Sequence, residues 1–411
     1  MTGALSQLVA YGAQDVYLTG DPQISFWKSN FSRYRNFAME SIEQDIIGDI
    51  YSGGEISFTL TRSGDLVYNI MFSITMKRGP SGHDDITPYF SCEHLIDRLE
   101  MYIGGQKVFE FGHEWFRMNA ELMYTYAQDR AYRSMANWGS EQQGYLRTFY
   151  LPIPVWFNAA SPGRALPLIA LQYHDVQFKI KLANFKDIQG VDPTYTPGIR
   201  CYADYTFLDV DERIWFASNP HEYIVEQIQT TQFPITITSQ QREYKFELPF
   251  NHPTKALIWA CTPGPAYHGQ YTSMEDEEDD ETLGPLETAK LTLNGVDRFS
   301  TRKGSYFSRG NPWTSFSGTY TSAGVYAYGF GLRSDIRDPT GTLNFSRIDT
   351  AILQVRTKAA VIADIKIPSA TTVTESMTTI GANILNTICV WAPNFNVLKI
   401  TRGMGGMAYA N

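Results

Sequence analysis

Apolar and polar residues alternate strictly along several short segments of this 411-residue chain. Residues 176–182, with the sequence VQFKIKL, are one example. A period of two places every second side chain on the same face of an extended chain. The same pattern recurs in residues 56–60, 70–76, 235–238, 244–248 and 361–367. These segments are therefore predicted to be β-strands with one buried face.

Clusters of Gly, Pro, Asn and Asp lie between the alternating segments, at residues 78–82, 158–163 and 337–341. These residue types favour turns, because they tolerate the backbone angles that a tight reversal needs. Many short strands joined by turns are typical of β-sandwiches and β-barrels. The chain is predicted to be an all-β protein.

One segment breaks the alternation. Trp115, Met118, Leu122 and Tyr126 recur at spacings of three and four residues in a stretch rich in Glu, Met and Ala. This spacing puts the four side chains on one face of a helix. We predict a single amphipathic helix here, within a long connection between strands.

A weak internal repeat suggests that the fold occurs twice. Residues 101–109 align with residues 291–299, with glycines and apolar positions in register. Residues 166–178 then align with residues 343–355, in the same order along the chain. A duplicated β-fold leaves such a trace, and the chain length suits two domains of about 100 to 200 residues each.

A boundary between the two halves is predicted after residues 209–213, where the polar stretch 218–222 begins. Residues 222–229 fit either a strand or a helix, and both alternatives stay open at this point.

The charge of the chain argues against direct nucleic-acid binding. Its net charge is −9, from 34 Lys and Arg against 43 Asp and Glu, whereas phosphate neutralisation requires a basic patch. The N-terminal residues lack the basic and apolar regions of a signal peptide, and no stretch approaches the roughly 18 apolar residues of a spanning helix. We expect a protein that is neither secreted by that route nor membrane-spanning.

Four cysteines are scattered along the chain at positions 92, 201, 261 and 389. They form no CxxC motif and no Cys/His pairing with the spacing of a metal site. Buried thiols, in a protein made in a reducing compartment, are the prediction.

Two His-Glu pairs, His113-Glu114 and His221-Glu222, suggest metalloprotease chemistry at first sight. A zinc site of that kind needs a second His one helical turn later, and neither pair has one. Both are predicted to be ordinary surface or helix-cap pairs.

Two further patterns resemble metal or nucleotide sites. Asp209 and Asp211 would share one face of a strand, but no further ligand is near them in sequence, so a solvated strand end is predicted. Residues 403–408 match the dinucleotide fingerprint without a βαβ context and are predicted to be a flexible tail. Neither a nucleophile elbow nor a phosphate loop occurs in the sequence. We predict no catalytic residue, no metal and no cofactor.

Two surface features remain. Asn30 and Asn344 each begin an Asn-Phe-Ser tripeptide, the acceptor pattern for N-glycosylation. An uninterrupted acidic run predicts an exposed, mobile loop, because like charges repel one another and form no shaped calcium cage. Its residues are Glu275, Asp276, Glu277, Glu278, Asp279, Asp280 and Glu281.

Six long segments carry a family resemblance: residues 5–20, 164–174, 251–255, 293–307, 344–349 and 402–411. With them, the chain resembles the double jelly-roll major capsid proteins of nucleocytoplasmic large DNA viruses, nearest to the algal-virus type. The resemblance runs from end to end, although the acidic run is not part of the family pattern.

The resemblance implies two tandem eight-stranded antiparallel jelly-roll β-sandwiches, with short helices in the loops between strands. The implied parts are an extended N-terminal arm at residues 1–25, a first jelly roll at 26–213, a linker at 214–221 and a second jelly roll at 222–411, including a short C-terminal tail.

The resemblance also implies a structural function without catalysis. Three copies would form a pseudo-hexagonal capsomer, and capsomers would tile the icosahedral shell of a large double-stranded DNA virus. The implied partners are the chain itself, neighbouring capsomers, penton and minor capsid proteins beneath the shell, and indirectly the internal viral membrane. The protein would reside in the virion after synthesis and assembly in the host cytoplasm.

Two alternatives stay open from sequence alone. Jelly rolls also serve as lectin domains, so a carbohydrate-binding double jelly roll is one alternative. A sandwich-fold hydrolase is the other, and it requires carboxylates that cluster in a cleft once the chain has folded.

Overall fold

A computed structural model describes residues 3–27, 33–79, 91–137, 144–158, 161–186, 188, 191–236, 242–263, 286–316, 324–357 and 385–409. The chain divides into two compact units, Met1–Phe37 and Ala38–Asn411. The first unit contains helices α1 (Gly3–Val9) and α2 (Val16–Thr19), and neither helix has a buried residue. The segment 1–25, predicted to be extended, is thus helical over part of its length, because its backbone groups bond to one another locally.

Among the described residues before 209 there are ten strands: β1 (Phe37–Gln44), β2 (Ile46–Ile47), β3 (Glu55–Thr59), β4 (Leu66–Lys77), β5 (Ile96–Ile103), β6 (Gln106–Gly112), β7 (Leu146–Pro152), β8 (Leu166–Pro167), β9 (Val176–Leu182) and β10 (Gly198–Leu208). One sheet has the order β1-β10-β4-β7, with β8 beside β4, and the other has the order β2-β3-β9-β5-β6. The two sheets form the first sandwich.

Aromatic contacts join the two sheets of the first sandwich. The predicted alternation is confirmed in β3, β4 and β9, whose inward side chains are buried. Phe58 stacks on Phe178 of the same sheet at 4.8 Å between ring centroids. It also meets Phe72 of the other sheet edge-on at 5.9 Å. These rings lie in the core between the sheets.

Two helices, α3 (His113–Met123) and α4 (Tyr126–Ala136), fill the connection between β6 and β7. The helix predicted from Trp115, Met118 and Leu122 is confirmed as α3, in which all three side chains are buried. Its predicted extension to Tyr126 is wrong, because Thr125 starts a second helix. The Gln128 amide donates to the Thr125 hydroxyl at 3.4 Å, and the Gln128 side-chain oxygen accepts from the Thr125 amide at 3.0 Å. This capping box stabilises a new helix N-terminus and ends the preceding helix.

Helix α5 (Val210–Ser218) and strand β11 (His221–Thr236) follow the first sandwich. The strand end expected at Asp209 and Asp211 is wrong. Asp209 is the N-cap of α5, and its carboxylate accepts a hydrogen bond from the amide of the next residue at 2.7 Å. Residues 222–229, which fit either a strand or a helix by sequence, form a strand, because the whole of β11 pairs with a later strand.

The second sandwich contains β11, β12 (Glu243–Glu247), β13 (Pro253–Thr254), β14 (Ala256–Pro263), β15 (Leu286–Leu293), β16 (Val296–Lys303), β17 (Val325–Gly329), β18 (Leu343–Asn344), β19 (Ala351–Thr357), β20 (Leu385–Thr401) and β21 (Met404–Met407), with helix α6 (Asn311–Ser315) before β17. One sheet has the order β17-β14-β20-β13-β18, with β11 and β21 also paired to β20. The other has the order β12-β19-β15-β16.

The internal repeat seen in the sequence is confirmed. The hairpins β5-β6 and β15-β16 turn at equivalent positions, with φ of 58° and 81° at Gly104 and Gly105 and of 48° and 79° at Asn294 and Gly295. Two successive positive φ angles are what a two-residue type I′ turn requires. Each half also repeats a short strand, a 3₁₀ turn and a long strand: β8 and β9 in one, β18 and β19 in the other.

Residues 256–260 of β14, a central strand of its sheet, are buried on both faces. Leu257 and Trp259 belong to the core of the second sandwich, whereas Ile258 and Ala260 belong to the cluster that fills the first. β17 and β20 divide their side chains in the same way. A strand covered on both sides carries apolar residues at every position, so it shows no alternation.

The thiols are buried, as the sequence predicts for those described. Cys92, Cys201 and Cys389 are at most 2% exposed. Burial raises the pKa of the Cys92 and Cys201 thiols well above the ordinary range. The side chain of Cys261 lies outside the described residues.

Candidate functional site

The surface prediction is wrong for the two histidines, which are buried, but Glu222 is exposed and the His113-Glu114 pair lies at a helix N-terminus, as the helix-cap alternative has it. His113 and His221 are 6% and 7% exposed. His113 begins α3, where its Nδ1 is 3.8 Å from a carboxylate oxygen of Glu114. His221 begins β11, and its Nε2 is 2.8 Å from the Phe216 carbonyl oxygen. Each imidazole is held inside the fold rather than presented to a substrate.

The described part of the chain offers no metal centre. Across it, no group of three or more His, Cys, Asp and Glu side chains is arranged to hold an ion. In the same residues, no helix is long and apolar enough to cross a membrane.

Glu93 is the buried carboxyl with the most unusual environment. It is 2% exposed, and burial raises its pKa above the ordinary value. The Tyr132 hydroxyl donates a hydrogen bond to it, and the Arg117 guanidinium opposes the shift electrostatically. Burial also raises the pKa of Tyr132. Because Glu93 and Tyr132 are both buried, this pair holds α4 against the sandwich and is not a general acid awaiting a ligand.

Residues 403–408, predicted to be a flexible tail, instead form an ordered contact between the sandwiches. Strand β21 pairs with β20 of the second sandwich. It also reaches the first sandwich, where the Tyr173 amide donates to the Gly403 carbonyl at 2.9 Å. The Met407 amide donates to the Gln106 side-chain oxygen at 3.2 Å. The glycine pattern that resembles a nucleotide fingerprint therefore serves packing.

Glycine is needed at this contact because the backbones approach closely. A Cβ atom at Gly405 would lie 2.6 Å from the Leu171 Cδ2, and one at Gly104 would overlap the His174 ring. The Gly405 amide donates to His174 Nδ1 at 3.1 Å. The imidazole thus lies between a hairpin of the first sandwich and the last strand of the second.

Large apolar side chains are exposed in two segments. On α5, Val210, Ile214 and Trp215 are 64%, 61% and 54% exposed. In the first unit, the large apolar side chains more than three-quarters exposed are Leu8, Val9, Tyr17, Leu18, Ile24, Phe26, Trp27 and Tyr34. Grouped exposed apolar residues mark surfaces that another molecule covers.

The predicted modification and acidic sites are only partly described. Asn344 is exposed at the end of β18, and its side-chain oxygen accepts from the Ser346 amide at 3.0 Å. Asn30 and the acidic run 275–281 lie outside the described residues. Glycosylation and the loop's direction stay predictions.

Two family descriptions match successive parts of the chain. "Major capsid protein N-terminus" matches residues 25–209, and "Large eukaryotic DNA virus major capsid protein" matches residues 212–406. The major capsid protein of Paramecium bursaria Chlorella virus 1 is 41% identical over the full length of both chains. The chain belongs to the major capsid protein family of large eukaryotic DNA viruses. The major capsid protein of Pyramimonas orientalis virus is 33% identical, also over both full lengths.

Solved structures agree with this family. The crystal structure of PBCV-1 VP54 superposes on the capsid protein with a TM-score of 0.82 and 37% identity, covering 94% of this chain and 100% of that one. The Faustovirus major capsid protein superposes with a TM-score of 0.69 over 97% and 96% of the chains, and its 10% identity shows the fold alone. The capsid protein is a double jelly roll, a structural component of the virion and not an enzyme.

Sequence reasoning missed the buried charges of the capsid protein. Lys255 is 3% exposed and contacts Glu226 on β11. The available signal was a lysine at the start of an uninterrupted apolar run, residues 256–261, which a surface lysine would not normally precede.

Proposed function

We propose that three copies of this capsid protein form a pseudo-hexagonal capsomer and that such capsomers tile an icosahedral shell. The duplicated sandwich within one chain carries the proposal. Three chains around a three-fold axis bring six similar sandwiches together, so the outline is close to six-fold although the symmetry is three-fold.

The exposed apolar residues support self-association. Val210, Ile214 and Trp215 on α5 form one group of exposed apolar side chains, and the first unit carries a group of its own. Such groups mark surfaces that another molecule covers. A likeness to an assembled shell supports it further, since a chain of the PBCV-1 virus capsid superposes with a TM-score of 0.81 over 94% of this chain at 36% identity.

The finer parts of the proposal follow from the family. Neighbouring capsomers, penton proteins and minor capsid proteins beneath the shell are the proposed partners, with the internal membrane an indirect one, and assembly takes place in the host cytoplasm. We place the jelly rolls at residues 26–213 and 222–411, joined by 214–221. The two family descriptions meet between residues 209 and 212, which supports a boundary there.

Light scattering after size exclusion tests the trimer. The expected mass is three times the 46.5 kDa of the chain. Negative-stain images of the same fraction should show particles with a hexagonal outline. A stable monomer across the accessible concentration range would overturn the proposal, and a glycan array would then test the lectin alternative.

A further inference from the structure

The contact between the two sandwiches is mostly apolar, but it contains a group of charged side chains, Lys255, Glu226 and Arg337. Ile258 and Ala260 of β14 pack into the cluster that fills the first sandwich. Lys255 lies at the start of the same strand, and its side chain is 3% exposed. A lysine is rarely buried this far unless it is paired, so its partners define what it does.

Lys255 is tied into the second sandwich by its backbone and reaches the first with its side chain. Its amide donates to the Pro393 carbonyl at 2.9 Å. Its ammonium group forms an ion pair with Glu226 of β11 and donates to the Ile336 carbonyl at 3.5 Å. The same nitrogen is 3.8 Å from the sulfur of Met123, the last residue of α3 in the first sandwich.

Arg337 is the second cation of this charged group. Its guanidinium donates to the Val155 carbonyl of the first sandwich. Burial lowers its pKa, while the negative charge of Glu226 opposes that shift. The Glu226 carboxylate therefore pairs directly with the buried Lys255 ammonium and acts on Arg337 only through its charge, while each of the two cations contacts the first sandwich. Next to Arg337, Asp338 pairs with Arg164 of the first sandwich.

We propose that Glu226 is a positioning residue that fixes the two jelly rolls in one relative placement. Apolar contacts are non-directional and permit sliding, whereas a buried ion pair with a further hydrogen bond on its cation has one good geometry. The Glu226 carboxylate holds the Lys255 ammonium beside Met123. Its negative charge also favours the charged form of Arg337, whose guanidinium donates to Val155. This role concerns a single chain and holds whether or not three chains assemble.

The unequal charges predict an unequal response to mutation. Glu226→Gln leaves the buried Lys255 ammonium without its anion, whereas Lys255→Met leaves a carboxylate that still experiences the positive charge of Arg337. Removing one partner of a buried pair is strongly destabilising. We expect Glu226→Gln to lower the Tm by roughly 5 °C or more, and Lys255→Met to lower it by less. The double variant should lose less than the sum of the two.

The matched control is an exposed pair that also uses β11, with its second residue on the neighbouring strand β20. Lys399 and Glu222 pair at 3.0 Å across β20 and β11, with side chains 54% and 64% exposed. Glu222→Gln and Lys399→Met should leave the Tm almost unchanged, because surface ion pairs contribute little. Equal effects at the buried and exposed pairs would overturn the proposal.

A distance measurement separates positioning from mere stabilisation. Spin labels at Glu55→Cys in β3 and Lys245→Cys in β12, both exposed positions, report the separation of the two sandwiches. The parent and the Glu222→Gln control should each give one narrow distance distribution, and Glu226→Gln should give a broadened or shifted one. Glu226→Asp keeps the charge and should stay narrow, which tests the idea even where Glu226→Gln fails to fold. A narrow, unshifted distribution in folded Glu226→Gln, or a broad one in Glu226→Asp, would overturn the positioning role.

Discussion

Single buried polar residues decide how the helical connection lies on the first sandwich. Glu93 is enclosed, and Tyr132 of α4 supplies the donor that its carboxyl group needs. A buried carboxyl without a donor loses its hydrogen bond and still lacks water. The Tyr132 hydroxyl should therefore contribute more to stability than the hydroxyl of an exposed tyrosine.

Tyr132→Phe should lower the free energy of unfolding by about 1–3 kcal/mol, because it removes the hydrogen bond that Tyr132 donates to the buried Glu93 carboxyl. Chemical denaturation of the two proteins measures the difference. Tyr126→Phe is the control on the same helix, since Tyr126 is 73% exposed, and it should have little effect. Equal losses from the two substitutions would contradict this account.

Asp192 should make stability depend on acidic pH. Hydrogen bonds from Thr194 and the ion pair with Lys77 lower its pKa to about 2. Because this value lies below the unfolded one of about 3.9, the stabilisation is present above pH 4 and lost as the pH falls through 2. The Tm of the parent should exceed that of Asp192→Asn at pH 5, and the gap should close towards pH 2. A gap that stays constant over this range would count against the assignment.

At the scale of elements, the alternation of apolar and polar residues identified the strands that have one face exposed to solvent. β3, β9 and β12 alternate and were predictable from their sequences. The sequence did not predict β14, β17 and β20. Both faces of these strands are covered, so their apolar runs show no period of two. α5 was not predicted because its apolar residues are exposed instead of buried, and the charged contact at Glu226 depends on partners distant in sequence.

The docking of β21 should depend on one glycine and not on its neighbour. Gly405→Ala places a methyl group against the buried Leu171, which should destabilise the protein by about 1–3 kcal/mol and raise hydrogen exchange in β21. At Gly406 the nearest atom to an added Cβ is the Gln106 oxygen at 3.5 Å, an ordinary contact. Gly406→Ala should therefore exchange like the parent, and similar exchange in both variants would refute this role for Gly405.

At the scale of the molecule, three adjacent strands of one sheet, β14, β17 and β20, contribute side chains to both cores and so join the two sandwiches. Side chains of β14 alternate between the core of the second sandwich and the cluster of the first. Exposing either face of this sheet costs apolar burial, so neither sandwich can lose its structure without uncovering the other. Cooperative unfolding of both sandwiches is the expected behaviour.

Neighbouring residues of β14 test this coupling. Leu257→Ala and Ile258→Ala remove side chains that face opposite cores, and each should cost about 2–5 kcal/mol. In differential scanning calorimetry, both variants should show a single transition shifted to lower temperature. Two transitions, of which each substitution moves only one, would mean that the sandwiches unfold independently.

The enclosed thiols have a consequence for chemistry outside the cell. Thiolates, not thiols, react with oxidants, and the raised pKa values of Cys92 and Cys201 keep both protonated at neutral pH. Passage from reducing to aerated surroundings then makes or breaks no covalent bond at these two positions. A change in the redox state of the medium should therefore not alter the covalent structure at Cys92 and Cys201. The stability of the capsid protein around these two residues depends on packing alone.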